Sequence, residues 1–176
     1  MKLFGIVKGL MDRIFMLLGA VVGSQFPEFM QQYTQRLSGH AAELSQLIAK
    51  LTEMASLSNK TLDQYIYKFL SSPDPDFINQ GEFMKAVVNR WQELNVSLHS
   101  LADATLWNKP YYFFKYMNYP IADTTMHSFK PGINLTVEGL CYAILGMVCA
   151  YVLYQLVIKL FYLGYTRAVS VFRSNH

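Results

Sequence analysis

The chain has 176 residues, 52% of them apolar, with a formal net charge of +3 and two cysteines. That length holds one compact domain plus membrane anchors, but not two independent cores. No basic stripe interleaved with aromatics is present, so the positive charge is not a nucleic-acid footprint, and the distribution of the apolar residues carries more information than their number.

The first element is an apolar segment over residues 1–23, interrupted between Leu3 and Val22 by the charges of Lys8, Asp12 and Arg13. On a helical wheel Leu3, Val7, Leu10, Ile14, Leu17, Leu18 and Val21 share one broad face, with Gly5, Lys8, Asp12, Met16, Gly19 and Gly23 opposite. A transmembrane helix with a polar inner stripe, an interfacial amphipathic helix and a cleavable signal peptide all fit; the transmembrane reading is favoured. An unpaired charge at mid-bilayer costs about 2.5–3.5 kcal/mol on insertion scales. Lys8, Asp12 and Arg13 are therefore expected to face protein or water, with Lys8 and Asp12 spaced to pair. Gly19-Ala-Val-Val-Gly23 is a small-residue motif that lets helices approach closely.

Residues 24–133 read as a water-facing helical domain. Pro27, in Phe26-Pro-Glu-Phe, suits the first turn of a helix that restarts there. Met30, Leu37, Leu44 and Leu51 then recur every seven residues, with Tyr33, His40, Leu47 and Met54 three positions later, which predicts a long helix with a coiled-coil-like seam. Ser56-Leu-Ser-Asn should end it. Thr61 to Phe69 reads as a short amphipathic helix that buries Leu62, Tyr65, Ile66 and Phe69, and Ser72-Pro-Asp-Pro-Asp is a breaker and a fresh start. A second heptad helix follows, with Phe77, Met84, Trp91 and Leu98 in one position and Gln80, Val87, Leu94 and Leu101 in the other. The two are expected to form an antiparallel hairpin. The aromatic stretch 107–120 fits either a core plug for that hairpin or an exposed interfacial or partner-binding patch.

Residues 134–165 predict a second transmembrane helix, and 166–176 a cytoplasmic tail. No charge occurs from Leu140 to Ile158, a run that spans roughly 28 Å as a helix, close to the ~30 Å hydrocarbon core. Lys159 ends it, and Phe161, Tyr162 and Tyr165 follow as an interfacial belt. Gly139, Ala143, Gly146 and Ala150 form a second small-residue stripe, for packing on the first span or on a partner. Cys141 and Cys149 stand about 12 Å apart on this helix and cannot bridge each other. The terminal segments hold six basic and two acidic residues, against nine basic and ten acidic from Ser24 to Pro131. By the positive-inside rule both termini face the cytoplasm and the middle faces the periplasm.

The run Gly23-Ser-Gln-Phe-Pro-Glu-Phe-Met-Gln-Gln-Tyr-Thr-Gln-Arg-Leu-Ser-Gly39 resembles the signature of a bacterial family catalogued as domain of unknown function 2937. Leu135-Thr-Val-Glu-Gly-Leu140 and the Ser72-Pro-Asp-Pro75 breaker are similar to it as well. The resemblance implies a bacterial inner-membrane protein and brings no activity, substrate or catalytic residue with it.

No catalytic set is evident. His40, His99, His127 and His176 are scattered without metal-ligand spacing, His40 reading as a hydrogen-bonded seam residue. No nucleophile elbow, phosphate loop or dinucleotide fingerprint occurs, and Asp74 and Asp76 suit a helix start. The expectation is an all-α membrane protein, two transmembrane helices flanking an extracytoplasmic helical hairpin. It has no cofactor or metal, and its partners are membrane lipids and other inner-membrane or periplasmic subunits or a second copy. The expected role is that of a non-enzymatic accessory or scaffold subunit of a bacterial inner-membrane assembly. The alternative is a transport or lipid-handling homo-oligomer with Lys8, Asp12 and Arg13 along its path.

Overall fold

The computed structural model describes the backbone of residues 2–132 and 136–174, and the side chains of residues 9–132 and 136–162. Among these residues the chain forms six helices: α1 (Lys2–Leu57), α2 (Leu62–Leu70), α3 (Pro75–Ala102), α4 (Lys109–Tyr116), α5 (Tyr119–His127) and α6 (Val137–Ser174). α1 and α6 are each long and apolar enough to cross a membrane. The chain divides into two compact units, one of residues 1–29 and 130–176, the other of residues 30–129.

One boundary differs from the sequence expectation. No new helix begins at Pro27: α1 runs through it without interruption. Pro27 lacks an N–H for the carbonyl of residue 23 and its ring crowds that carbonyl, yet the helix continues on both sides of it. At the other end α6 continues through the predicted tail as far as Ser174, with no proline or glycine after Gly164 to stop it.

In the unit of residues 30–129 the ends of the helices follow local chemistry. α1 closes in a Schellman motif: Asn59 takes φ 53°, Lys60 N–H donates to Ala55 O at 3.0 Å and Asn59 N–H to Ser56 O at 2.9 Å. Thr61 and Gln64 form a capping box at the start of α2. Asp74 Oδ1 accepts from Asp76 N–H at 3.0 Å ahead of Pro75, the first residue of α3. Leu51 of α1, Ile66 of α2 and Met84 of α3 then meet in one cluster, with Leu62, Tyr65, Phe69, Leu70 and Val88 packed around it. Gly81 makes the approach of α3 to α2 possible, because a Cβ there would lie 2.9 Å from Leu70 N.

The buried stripe of α1 departs from a strict heptad. Met30, Tyr33, Leu37, Ala41, Leu51 and Ala55 are buried, whereas His40 and Met54 are exposed. The inward position shifts from three residues after each seam residue to four. An untwisted helix of 3.6 residues per turn drifts in this way against a seven-residue repeat. His40 is thus a surface residue and not a seam residue. On α3, Phe77 and Gln80 are exposed and the stripe starts at Gly81, continuing through Met84, Val87, Leu94 and Leu101.

Candidate functional site

In the unit built from residues 1–29 and 130–176, α1 and α6 pack antiparallel through their smallest residues. Phe15 stacks on Tyr154 with centroids 4.8 Å apart, and Phe26 meets Tyr142 at 5.6 Å. Between these aromatic pairs the backbones touch. A Cβ on Gly19 would collide with Ala150 Cβ and Gly146 O, one on Gly23 with Tyr142 O, and one on Gly146 with Gly19 O and, at 2.8 Å, with Gly23 Cα. Gly19 is buried, as is Gly139 at the start of α6, where Gly139 N–H donates to Thr136 Oγ1 at 3.1 Å. Ala143 is half-buried. The outward residues Leu10, Leu17, Leu18, Val21 and Val22 of α1, and Leu145, Val148, Val152 and Leu153 of α6, are exposed.

This register also locates the charges of α1. Phe15 lies level with Tyr154, so one turn earlier Met11 lies level with Ile158, the residue before Lys159. Asp12 and Arg13 therefore sit within about one turn, roughly 5 Å, of the height at which the uncharged run of α6 ends. They are not at its midpoint. Arg13 is exposed; Asp12 is half-buried, and its Oδ1 is buried without a hydrogen-bond partner among the described residues. The side chain of Lys8, predicted to pair with Asp12, lies outside the described residues, as does the Leu135 end of the Leu135–Leu140 motif.

Gln25 closes this unit. Its Nε2 donates to Gly132 O at 3.2 Å, and Gly132 N–H donates back to its Oε1 at 3.3 Å. The side-chain amide thus pairs with the backbone of Gly132 as a second strand would, holding the approach to α6 against α1.

In the unit of residues 30–129 the counterpart is Asn118. Its Oδ1 caps α5 by accepting from Ile121 N–H at 3.4 Å and accepts from Arg90 Nη2 of α3 at 3.1 Å; its own N–H donates to the Tyr33 hydroxyl of α1 at 2.9 Å. Tyr33 is fully buried, edge-on to Phe113 of α4 with centroids 5.2 Å apart. Burial raises its phenol above the ordinary 10.0, against the opposing Asn118 N–H and Arg90 charge. Ser97 Oγ of α3 lies 2.9 Å from Tyr116 O at the end of α4. Nothing in the residue pattern marks Tyr33 or Gln25 for these duties. Asn118 carried a signal, an asparagine ahead of Tyr-Pro at a helix start.

Two surface features of this unit stand out. A groove of about 620 Å³ runs among α1, α3 and α5, lined by Leu44, Leu47, Leu94 and Ile121 together with His40, Glu43, Lys50 and Arg90. The aromatic stretch is divided between core and surface: Phe113 is buried, while Trp107, Tyr111, Phe114 and Tyr119 are 78%, 61%, 62% and 74% exposed. Lys115 Nζ lies over the rings of Tyr111 and Tyr116, 5.6 and 5.1 Å from their centroids. Among the described residues no group of three or more His, Cys, Asp or Glu is placed to hold a metal ion.

The family model described as "Protein of unknown function (DUF2937)" matches residues 7–167, nearly the whole chain, and the chain belongs to that family. No curated protein and no solved structure matches it.

Proposed function

We propose that this member of the DUF2937 family is a non-enzymatic accessory or scaffold subunit of a bacterial inner-membrane assembly. In this reading α1 and α6 cross the bilayer as an antiparallel pair, and residues 30–129 form a hairpin-based periplasmic domain with both termini in the cytoplasm. The observation that carries it is the glycine contact of Gly19 and Gly23 with Gly146. It consumes the small-residue faces within one chain and leaves leucine and valine faces outward, suited to lipid or to the helices of another subunit. The basic termini support the orientation, and the register relieves the cost of Asp12 and Arg13 by bringing them to the cytoplasmic edge, where a long cationic side chain reaches headgroups.

The groove favours a second reading, lipid handling. Its volume lies in the range of small-molecule sites, and leucines beside Lys50 and Arg90 suit an acyl chain with an anionic head. Purification from native membranes in mild detergent, with mass spectrometry of what co-purifies, separates the two. A stoichiometric unrelated protein supports the scaffold, and a homo-oligomer with bound lipid supports lipid handling. A bare monomer rejects both.

A further inference from the structure

The aromatic stretch faces two ways, and its exposed half has a chemistry of its own. Phe113 is locked into the core against Tyr33, which sets the rotation of α4 and turns Tyr111, Phe114 and Lys115 outward. Trp107 just before the helix and Tyr119 just after it are exposed as well. From Asp103 to Asp123 the only charged residues in between are Lys109 and Lys115; no acidic side chain interrupts the stretch.

We propose that this outward face of α4, with Trp107 and Tyr119 at its margins, lies on the surface of an anionic bilayer, its rings at headgroup level and Lys115 against lipid phosphate. Tryptophan and tyrosine favour that boundary because an apolar ring and a polar N–H or O–H are satisfied there together. A purely apolar partner surface would leave those polar edges and the ammonium of Lys115 desolvated. The cation lies over two tyrosine rings, within 6 Å of each centroid, so rings and charge reach one plane together. Two lysines with no acidic residue between Asp103 and Asp123 complement anionic headgroups, Glu93 of α3 being the carboxylate that shares a surface hollow with Lys115 and Tyr116. The inference rests on the membrane-anchored reading above: the connection from His127 to the start of α6 at Val137 is short, and a short tether to a spanning helix gives the face a high effective concentration at the bilayer.

Trp91 and Trp107 are the only tryptophans, so the emission of the full chain minus that of W107F reports Trp107 alone. The protein is reconstituted into vesicles of phosphatidylethanolamine and phosphatidylglycerol carrying chain-brominated lipid. Bromines near the headgroup end should reduce Trp107 emission roughly twofold, with a smaller effect from bromines near the chain terminus. K115E, or replacement of the phospholipid by phosphatidylcholine alone, should weaken the quenching. A second variant, Y151W in α6, reports insertion of the span. If the α6 tryptophan is quenched while Trp107 is indifferent to bromine, the surface contact is wrong and the anchoring stands; if neither is quenched, both fall. A blue-shifted but unquenched Trp107 assigns the face to a protein partner and overturns the proposal. Quenching that is unchanged in phosphatidylcholine and in K115E overturns the anionic recognition.

Discussion

Gln25 and Gly132 exchange two hydrogen bonds, Nε2 to carbonyl at 3.2 Å and amide to Oε1 at 3.3 Å. A glutamine on α1 thereby does for the segment before α6 what a neighbouring strand does for an edge. Removing the amide leaves both backbone groups of Gly132 without that partner.

Q25A should therefore loosen the approach to α6, at a cost of about 1–2 kcal/mol. The specific readout is hydrogen exchange at the Gly132 amide, which should accelerate well beyond that of amides in the middle of α6. Q25E keeps the acceptor and loses the donor, so the Gly132 amide should stay more protected than in Q25A. Equal exchange in wild type and Q25A would show that the pair does not hold this segment.

The glycines divide into those that touch a neighbour and those that do not. Gly146 abuts Gly19 O and Gly23 Cα, and Gly81 abuts Leu70 N, whereas Gly39 has nothing within 4 Å of where its Cβ would be. G146A and G81A should each lower stability in detergent by about 1–3 kcal/mol through overpacking against backbone. G39A should raise it by about 1 kcal/mol, as alanine does in an open helix position. Thermal unfolding of the three variants checks the ordering.

Tyr33 gives the protein an alkaline limit. Its phenol is raised above 10.0 by burial, so the folded chain keeps a proton that the unfolded chain has lost. The contribution is fully present below pH 10 and declines as pH rises from there through the folded value. Y33F forfeits the hydrogen bond from Asn118 N–H, about 1 kcal/mol at neutral pH, but its stability should fall less steeply above about pH 10. Denaturation of both proteins across that window decides the matter by the difference in slope.

The Asn118 side chain both caps α5 and accepts from Arg90 of α3, so N118A should cost more than an ordinary N-cap, which is worth about 1 kcal/mol, while the backbone bond to Tyr33 stays. N118D retains the acceptor for Ile121 N–H and Arg90 and should recover most of the loss. If N118D is as unstable as N118A, the side-chain acceptor is not what joins α3 to α5, and the prediction fails.

Much of the helical order was legible in the residues. The Asn59 stop, the Thr61 capping box and the Asp74-Pro75 restart are local events decided within a few residues, and each appears where the chain chemistry puts it. The seam was less legible. Heptad counting steps seven residues at a time from Tyr33 and so arrives at His40 and Met54, whereas an untwisted helix turns Ala41 and Ala55 inward. Pro27 misled because proline suits the first turn of a helix, and here it lies inside one. The aromatic stretch could not be divided from sequence, because which of Phe113 and Phe114 turns inward depends on Tyr33, far away along the chain. Gln25 and Asn118 act through partners 107 and 85 residues distant, beyond any local pattern.

If α1 and α6 cross a bilayer as proposed, the register set by Phe15 on Tyr154 has one more consequence. Both helices share a single uncharged height, bounded by Arg13 and Lys159 on one side and by Glu28 of α1 and Glu138 of α6 on the other. Neither can slide to adjust that height alone, because sliding would drive Gly19 and Gly23 off Gly146. In a bilayer thinner than this height the helices must tilt together, and in a thicker one the lipid must compress around them. Hydrophobic mismatch would then be felt by the two helices as one body, and membrane thickness would be a property to which they respond together.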